Sequence, residues 1–235
     1  MQFKRQELKY YISPLDAEIL SKTLGDILSL DSNSTNHKGY RVRSLYFDSF
    51  DDICLSSKQA GQLMRKKVRL RTYGETNHET LKFEIKYKQD ALVFKESTVV
   101  SKALAQQVCT GNWSVLLEQN DPILDKIYAI FSTGLYQPKV IVEYQRLAYV
   151  YPAFNVRITF DHFLHSNINH LDLFSKHKDA MPVIIEGKQI LEVKYEHYLP
   201  DFIRKLLSQI PAERQAISKY TLARRFHKLH KWEDN

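Results

Sequence analysis

The sequence is poor in glycine and cysteine, and each shortage excludes a class of binding site. Only seven glycines occur among 235 residues, and none lies in a GxGxxG or GxxxxGK arrangement, in which backbone N–H groups cradle phosphates. The two cysteines, Cys54 and Cys109, form no CxxC pair and provide neither a disulfide framework nor a zinc finger. Any bound phosphate must therefore be held by side chains, and a reducing, cytoplasmic compartment is expected.

Long apolar runs and linkers are also missing. No segment approaches the roughly 20 apolar residues of a membrane span, and the basic start at Met1–Tyr11 lacks the apolar region of a secretion signal. We therefore expect neither export nor self-insertion. The nine histidines show no metal-ligand spacing, which disfavours a zinc site. Without a low-complexity tract or linker, residues 1–235 are expected to form a single domain.

Positive charge is in excess, with a net charge of +7. Such a surplus favours anionic partners through long-range steering but does not identify the anion. Nucleic acid, phosphate compounds and anionic lipid all remain open on this ground. The segment Lys219–Lys231 is especially basic. A solvated helix face is one interpretation, and association with the membrane through a partner protein is another.

Charged and apolar residues alternate in six segments that read as β-strands. In Leu81–Lys88, the charged side chains occupy every second position and apolar ones the positions between, so each kind shares a face. The same spacing groups Arg69 with Arg71, Arg5 with Glu7 and Lys9, Arg41 with Arg43, Arg157 with Asp161, and Glu192 with Lys194. These faces predict an α+β fold whose antiparallel strands form a closed β-barrel with a cationic lumen.

Helices are predicted in three places. Ser13 and Pro14 suit a helix start, followed by an apolar stripe of Leu15, Ile19, Leu24, Ile27 and Leu28. Two further pieces lie between Lys102 and Gly134, the second capped by Asp121. A last helical region runs from Pro200 to about Lys231. Strands are predicted at 40–48, 64–73, 81–87, 95–100, 139–149, 155–163, 183–186 and 190–195, with a turn at 74–79.

Eight segments carry a resemblance when taken in order: RQELKYY at 5–11, SLYFD at 44–48, KVRLRTY at 67–73, FEIKYK at 83–88, YQRLAY at 144–149, RITFD at 157–161, LEVKY at 191–195 and SKY at 218–220. Together they resemble the VTC domain, the polyphosphate polymerase branch of the triphosphate tunnel metalloenzymes, or CYTH-like superfamily. The resemblance implies an antiparallel tunnel of about eight strands flanked by helices. It also implies ATP or another triphosphate as substrate, inorganic polyphosphate as partner, and Mn²⁺ or Mg²⁺ as cofactor.

The basic residues of these segments are the candidate site. Arg69 and Arg71, two apart on one strand, can each grip phosphate oxygens with a planar guanidinium. A solvated face with surface ion pairs is the alternative. The resemblance implies catalytic roles for six basic residues: Arg69, Arg71, Lys86, Arg146, Arg157 and Lys219. Substrate binding is assigned to Lys9, Arg5, Arg43, Lys88 and Lys194.

Glu192 is the predicted metal ligand, because a carboxylate beside triphosphate oxygens suits a hard divalent cation. An ion pair with Lys194 is the alternative. Other acids are interpreted as groups that orient the arginines and lysines; they are Glu7, Glu84, Glu143 and Asp161.

Two departures from the family pattern bear on function. Arg5 replaces the first acid of the ExExK strand of the hydrolase branch, which favours the polymerase branch. Ala216 stands where polymerase members often have another lysine, which puts the binding of the polymer in question.

The expected function is an ATP-dependent polyphosphate polymerase, a phosphotransferase. A metal-dependent triphosphatase and a non-catalytic polyphosphate-binding module stay open, and nucleic-acid binding is not expected because no recognition motif is present.

Overall fold

The computed structural model describes residues 5–34, 36–74, 81–90, 92–175, 179–184 and 187–230. The strands in these ranges are β1 (Arg5–Ile12), β2 (Ser29–Leu30), β3 (Tyr40–Asp48), β4 (Met64–Tyr73), β5 (Leu81–Gln89), β6 (Leu92–Val100), β7 (Gln137–Tyr151), β8 (Val156–Asn167), β9 (Met181–Pro182) and β10 (Gln189–Glu196). The helices are α1 (Pro14–Gly25), α2 (Ile53–Gln59), α3 (Lys102–Cys109), α4 (Pro122–Gly134), α5 (Asp201–Ser208) and α6 (Lys219–His230), with short 3-10 helices at Ser114–Gln119 and Ala153–Asn155.

The strands form an open sheet in the order β1-β10-β8-β7-β3-β4-β5-β6, with β2 beside β7 and β9 beside β8. The α+β class is confirmed, but the prediction of a closed β-barrel is wrong. Closure would need β1 to pair with β6, and within the described ranges the order ends at these strands. The outer edge of β1 instead meets an irregular segment, where Gln215 N–H donates to Lys9 O at 2.8 Å. Alternating side chains define a polar face but not whether the end strands of a sheet meet.

The chain divides into two compact units. Unit 1 consists of Met1–Arg41, Tyr144–His165 and Pro182–Ser218, and unit 2 of Val42–Glu143, Ser166–Met181 and Lys219–Asn235. The single domain expected from the sequence therefore stays a prediction. No helix in the described ranges is both long and apolar enough to cross a membrane.

The core of unit 1 forms where α1 packs on the apolar face of its strands. Ser13 caps α1 by accepting a hydrogen bond from Asp16 N–H at 3.1 Å, as predicted. Ala17, Leu20 and Leu24 of α1 are buried; they join a cluster with Leu28, Tyr149, Ile158, Phe160, Leu191 and Val193. The predicted stripe was partly wrong, since Leu15, Ile19 and Ile27 are exposed and only Leu24 and Leu28 are buried.

The core of unit 2 is aromatic and lies on the side of the sheet opposite its charged residues. The ring of Phe131 on α4 lies 4.9 Å from that of Phe47 and 6.0 Å from that of Phe83, centroid to centroid. Asp121 caps α4 as predicted and accepts a hydrogen bond from Ile123 N–H at 2.7 Å. This core fixes the strands that carry the charged face.

Two other predictions differ from the structure. The C-terminal region forms α5 and α6 with an irregular stretch between them, where Pro211 lacks the N–H that a continuing helix needs. The strand predicted at 183–186 is not formed at Val183 and Ile184, and its last two residues lie outside the described ranges. Residues 75–79 of the predicted turn also lie outside them. Helix α2 was not predicted, because seven residues show too little periodicity.

Candidate functional site

The predicted site residues form two sets, one in each unit. Unit 2 holds Arg43, Arg69, Arg71, Lys86, Lys88 and Lys219, and unit 1 holds Arg5, Lys9, Arg146, Arg157, Glu192 and Lys194. Arg5 begins β1, but its side chain lies outside the part of the structure that is described.

In unit 2, a buried carboxylate organises several cations of the charged sheet face, the Glu84 cluster (Glu84, Arg69, Arg71, Lys95 and Tyr46). The strand register places Arg69 opposite Glu84. Glu84 Oε2 lies 2.6 Å from Arg69 Nε and 4.0 Å from Arg71 Nε, and Oε1 lies 3.0 Å from Lys95 Nζ. Arg71 Nε also donates to Ser44 Oγ at 2.9 Å. Both arginines are thus held by the protein in fixed orientations.

The charge balance of the Glu84 cluster is positive. Burial by itself raises the pKa of Glu84, but Arg69, Arg71 and Lys95 outweigh it and hold the pKa well below its usual range. Glu84 therefore stays ionised at neutral pH, yet it is one carboxylate among three cations. The remaining positive charge, on a partly desolvated face, is suited to a phosphate anion.

Tyr46 belongs to this cluster and was missed in the sequence. Arg69 Nη1 donates to the Tyr46 hydroxyl at 3.1 Å, and β3 places Tyr46 directly opposite Arg69. Burial raises the pKa of this phenol, but Arg69, Arg71 and Lys67 reverse the shift and lower the pKa to about 7. The signal available was its position two residues after Ser44, on the polar face of β3.

The lysines of unit 2 differ in setting. Lys86 is half-buried and lies in register between Lys67 and Lys95, which adds to the positive charge of the same face. Lys88 is exposed at the far end of β5. Lys219 is half-buried at the first position of α6. It directly precedes Tyr220, whose ring centroid lies 5.2 Å from that of Tyr46.

Arg43 makes extensive contacts with the protein itself. Its Nε lies 2.6 Å from Glu143 Oε2, and its Nη1 donates to the backbone carbonyl of Leu173 at 3.0 Å and to that of Ser175. Such contacts tie β3 to a neighbouring irregular segment. They give Arg43 a structural task beside the substrate-binding role predicted for it.

In unit 1, Glu192 lies at the centre of the Glu192 cluster (Glu192, Lys194, Lys9, Glu7 and Arg146). Its Oε1 lies 2.7 Å from Lys194 Nζ and 4.0 Å from Lys9 Nζ, and its Oε2 lies 3.7 Å from Arg146 Nη2. Glu7 Oε1 is 3.4 Å from Lys9 and 3.6 Å from Lys194. Burial, offset only in part by Glu192 and Glu7, lowers the pKa of Lys194.

These surroundings do not fit a divalent cation held by the protein alone. Three cations already face the Glu192 carboxylate. Among the residues with described placement, no group of three or more His, Cys, Asp or Glu side chains is arranged to hold a metal. The ion-pair alternative is the arrangement present in the structure, and the role of Glu192 as a metal ligand stays a prediction.

Arg146 and Arg157 are each oriented by an aspartate. Arg146 donates from Nε and Nη2 to the two oxygens of the fully buried Asp161, at 2.6 and 2.7 Å. Burial lowers the pKa of Arg146, but Asp161 outweighs it, and the pKa lies well above its ordinary value. Arg157 donates to Asp31 and, at 2.9 Å, to the Tyr40 hydroxyl. Asp31 lies outside every predicted strand, so its role could not be found from strand periodicity.

Comparison with known proteins identifies the family. The family model of the VTC domain matches residues 4–227, which confirms the resemblance found in the sequence. The candidate adenylyl cyclase HpAC1 from Hippeastrum, described as having a dominant triphosphatase activity, has 16% identity and a TM-score of 0.59, with 93% of this chain and 94% of that chain covered. That similarity shows a shared fold.

Two further solved structures have lower TM-scores than HpAC1. PH1819 from Pyrococcus horikoshii OT3 has 12% identity and a TM-score of 0.48, covering 92% of this chain and 97% of its own. A candidate adenylate cyclase from Bacillus halodurans has 15% identity and a TM-score of 0.48, covering 88% of each chain. No curated protein matches.

Proposed function

Because the chain belongs to the VTC-domain family, we propose that it is an ATP-dependent polymerase of inorganic polyphosphate. In this reaction the terminal phosphate of ATP is transferred to a polyphosphate chain. The observation that supports it best is the Glu84 cluster, in which Arg69 and Arg71 share a strand face with an excess of positive charge. Docking on a membrane partner through the basic α6 stays a prediction.

The geometry of the cluster suits phosphoryl transfer. This chemistry asks a protein mainly to position phosphate oxygens and to neutralise their charge. Glu84 holds Arg69 at 2.6 Å and Ser44 holds Arg71 at 2.9 Å, so both guanidinium groups are oriented before substrate arrives. Donors oriented in advance need little reorganisation when charge develops in the transition state. Lys86 and Lys219 are proposed to add charge to the same reaction.

A metal-dependent triphosphatase is the second candidate. The observation that favours it is the fold shared with HpAC1, for which a dominant triphosphatase activity is described. The same cationic face would bind a triphosphate whether water or a phosphate chain accepted the phosphoryl group. A third candidate is a polyphosphate-binding module without turnover, which needs only the charge.

Incubation of the purified chain with ATP and Mn²⁺ or Mg²⁺ tests the proposal. Products are separated on a gel stained for long polyphosphate, and released orthophosphate is measured in parallel. Long polymer supports the polymerase. Orthophosphate without polymer selects the triphosphatase, and polymer binding without any ATP turnover selects the binding module; either outcome overturns the proposal.

A further inference from the structure

We infer that Tyr46 couples anion binding in the Glu84 cluster to the uptake of a proton: a polyphosphate anion bound at Arg69 and Arg71 drives protonation of the Tyr46 phenolate oxygen. The inference rests on the proposed function only for the class of ligand, a linear phosphate polyanion. It assigns to Tyr46 a direct place in the phosphate site, beyond the arginines and lysines.

The position of Tyr46 supports this role. Its side chain is buried, with 5% of the residue exposed. Its hydroxyl accepts a hydrogen bond from Arg69 Nη1 at 3.1 Å, and the Arg69 guanidinium carbon lies 5.7 Å from its ring centroid. An arginine that binds phosphate therefore also binds the Tyr46 oxygen. A charge placed on one is felt by the other.

The surroundings of Tyr46 are predominantly cationic. Burial alone would raise the pKa of the phenol, but Arg69, Arg71 and Lys67 lower it to about 7. The charged and titratable groups around it are Asp48 on its own strand β3, Lys67, Arg69 and Arg71 on β4, Glu84 on β5, Lys95 on β6, and Tyr220 and Arg224 on α6. The two carboxylates among them already have partners: Glu84 pairs with Arg69 and Lys95, and Asp48 accepts a hydrogen bond from the Tyr220 hydroxyl. The phenolate therefore acts as a resident anion of the cluster.

The direction of the coupling follows from charge. Above a pH of about 7, the phenol of the free protein is mostly ionised. A polyanion that binds the same cations brings negative charge close to the phenolate, and like charges disfavour the ionised form. The phenolate oxygen then takes a proton from the buffer and becomes a neutral hydroxyl, which can donate to a phosphate oxygen. No other reactant is needed.

A consequence is a pH dependence that belongs to Tyr46. Above the pKa, each pH unit makes protonation harder, so linkage weakens polyanion binding by up to about tenfold per unit. Tyr46→Phe has no phenolate and lacks this contribution. The variant should bind more tightly than the wild type at high pH and no more tightly at low pH. If Tyr46 had a purely structural role, Tyr46→Phe would bind the polyanion more weakly than the wild type at every pH. Protonation of the ligand itself affects both proteins equally and does not change the ratio of their affinities.

The test uses the full chain, inorganic tripolyphosphate and the near-ultraviolet absorbance of tyrosinate. About one pH unit above the pKa, about nine-tenths of the Tyr46 phenol is ionised, and saturation with tripolyphosphate should remove this tyrosinate signal. The wild-type measurement needs no variant. Tyr46→Phe should lack both the signal and its loss. Tyr87→Phe is the matched control and should behave as wild type, because burial raises the pKa of Tyr87 on β5.

Tyr73 provides a rival source of the signal. Burial raises its pKa, but Arg71 outweighs burial and the net pKa is lowered. A signal that persists in Tyr46→Phe and disappears in Tyr73→Phe would overturn the inference. Calorimetry separates the remaining outcomes: binding of tripolyphosphate without loss of tyrosinate overturns the Tyr46 coupling alone. The absence of any binding heat and of any tyrosinate change overturns the proposed function together with it.

Discussion

Single carboxylates hold two of the candidate site arginines in place. Glu84 orients Arg69 at 2.6 Å, and Asp161 grips Arg146 at 2.6 and 2.7 Å. Burial makes a pair of this kind expensive to break, even though the intact pair adds little net stability over an apolar one. Its value lies in fixing where a guanidinium points. Removal of one of these acids is therefore expected to destabilise the protein, because it leaves a buried cation without its partner.

Glu84→Gln tests this at neutral pH and in acid. The variant lacks the buried carboxylate that pairs with Arg69 and Lys95. Its free energy of unfolding should therefore be lower than that of the wild type by about 3 kcal/mol. The folded-state pKa of Glu84 is depressed. Its contribution is therefore fully present above the ordinary pKa of 4.5 and is lost as pH falls below that value toward the folded-state pKa. Urea unfolding of both proteins across pH measures the difference.

Glu18→Gln is the control for that experiment. Glu18 forms an exposed pair with Lys22 on α1 at 2.9 Å, and exposed pairs contribute little. Its replacement should change unfolding only slightly at any pH. A wild-type minus Glu84→Gln difference that stayed constant down to acid pH would contradict the electrostatic account.

Among the elements, α2 and α6 are joined through the end of β3. Asp48, the last residue of β3, accepts hydrogen bonds from Cys54 N–H at 2.8 Å and Leu55 N–H at 3.1 Å, and from the Tyr220 hydroxyl. These contacts satisfy first-turn N–H groups of α2, which its N-cap residue Asp52 does not cap with its side chain. They also set the position at which α6, and hence Lys219, begins.

Tyr220→Phe should loosen α6 and spare α2. The variant loses the bond to Asp48, so amide exchange should rise in α6, whereas Asp48→Asn should raise exchange in both helices. Turnover should fall in Tyr220→Phe through kcat more than KM, because a misplaced Lys219 weakens charge stabilisation in the transition state. Hydrogen exchange and steady-state kinetics measure these effects. Tyr128→Phe on α4 is the control, and equal effects of the two tyrosine variants would contradict this account.

At the scale of elements, strands were easier to predict than helix faces. β3 and β4 have the bounds expected from alternation, because a period of two is a local property of an extended chain. The stripe expected on α1 was partly wrong: Leu15 and Ile19 are exposed while Ala17 and Leu20 are buried. Which stripe faces the core depends on the sheet that receives it, and this is not written in the helix itself.

For the whole molecule, the net charge of +7 makes ionic strength a test of the proposed ligand. The logarithm of the Kd for long polyphosphate should rise linearly with the logarithm of the salt concentration. The reason is that lysine and arginine side chains that bind the polymer displace its counterions. Lys86→Ala should lower the slope by about one, and the exposed Lys22→Ala should leave it unchanged. Fluorescence titrations over a salt series measure this. Equal slopes for wild type and Lys86→Ala would place Lys86 away from the ligand.

The sequence by itself determined the long strands, their charged faces and the family, because alternation and ordered motifs are read along one chain. Tertiary structure alone decided that the sheet stays open, that Asp31, which lies outside the predicted strands, pairs with Arg157, and that Tyr46 lies against Arg69. Each of these depends on which strand or segment comes alongside another. The pKa of Tyr46 is lowered by cations on another strand, and interactions between charges weaken with distance. Such a shift can therefore be predicted only when the register across the strands is known.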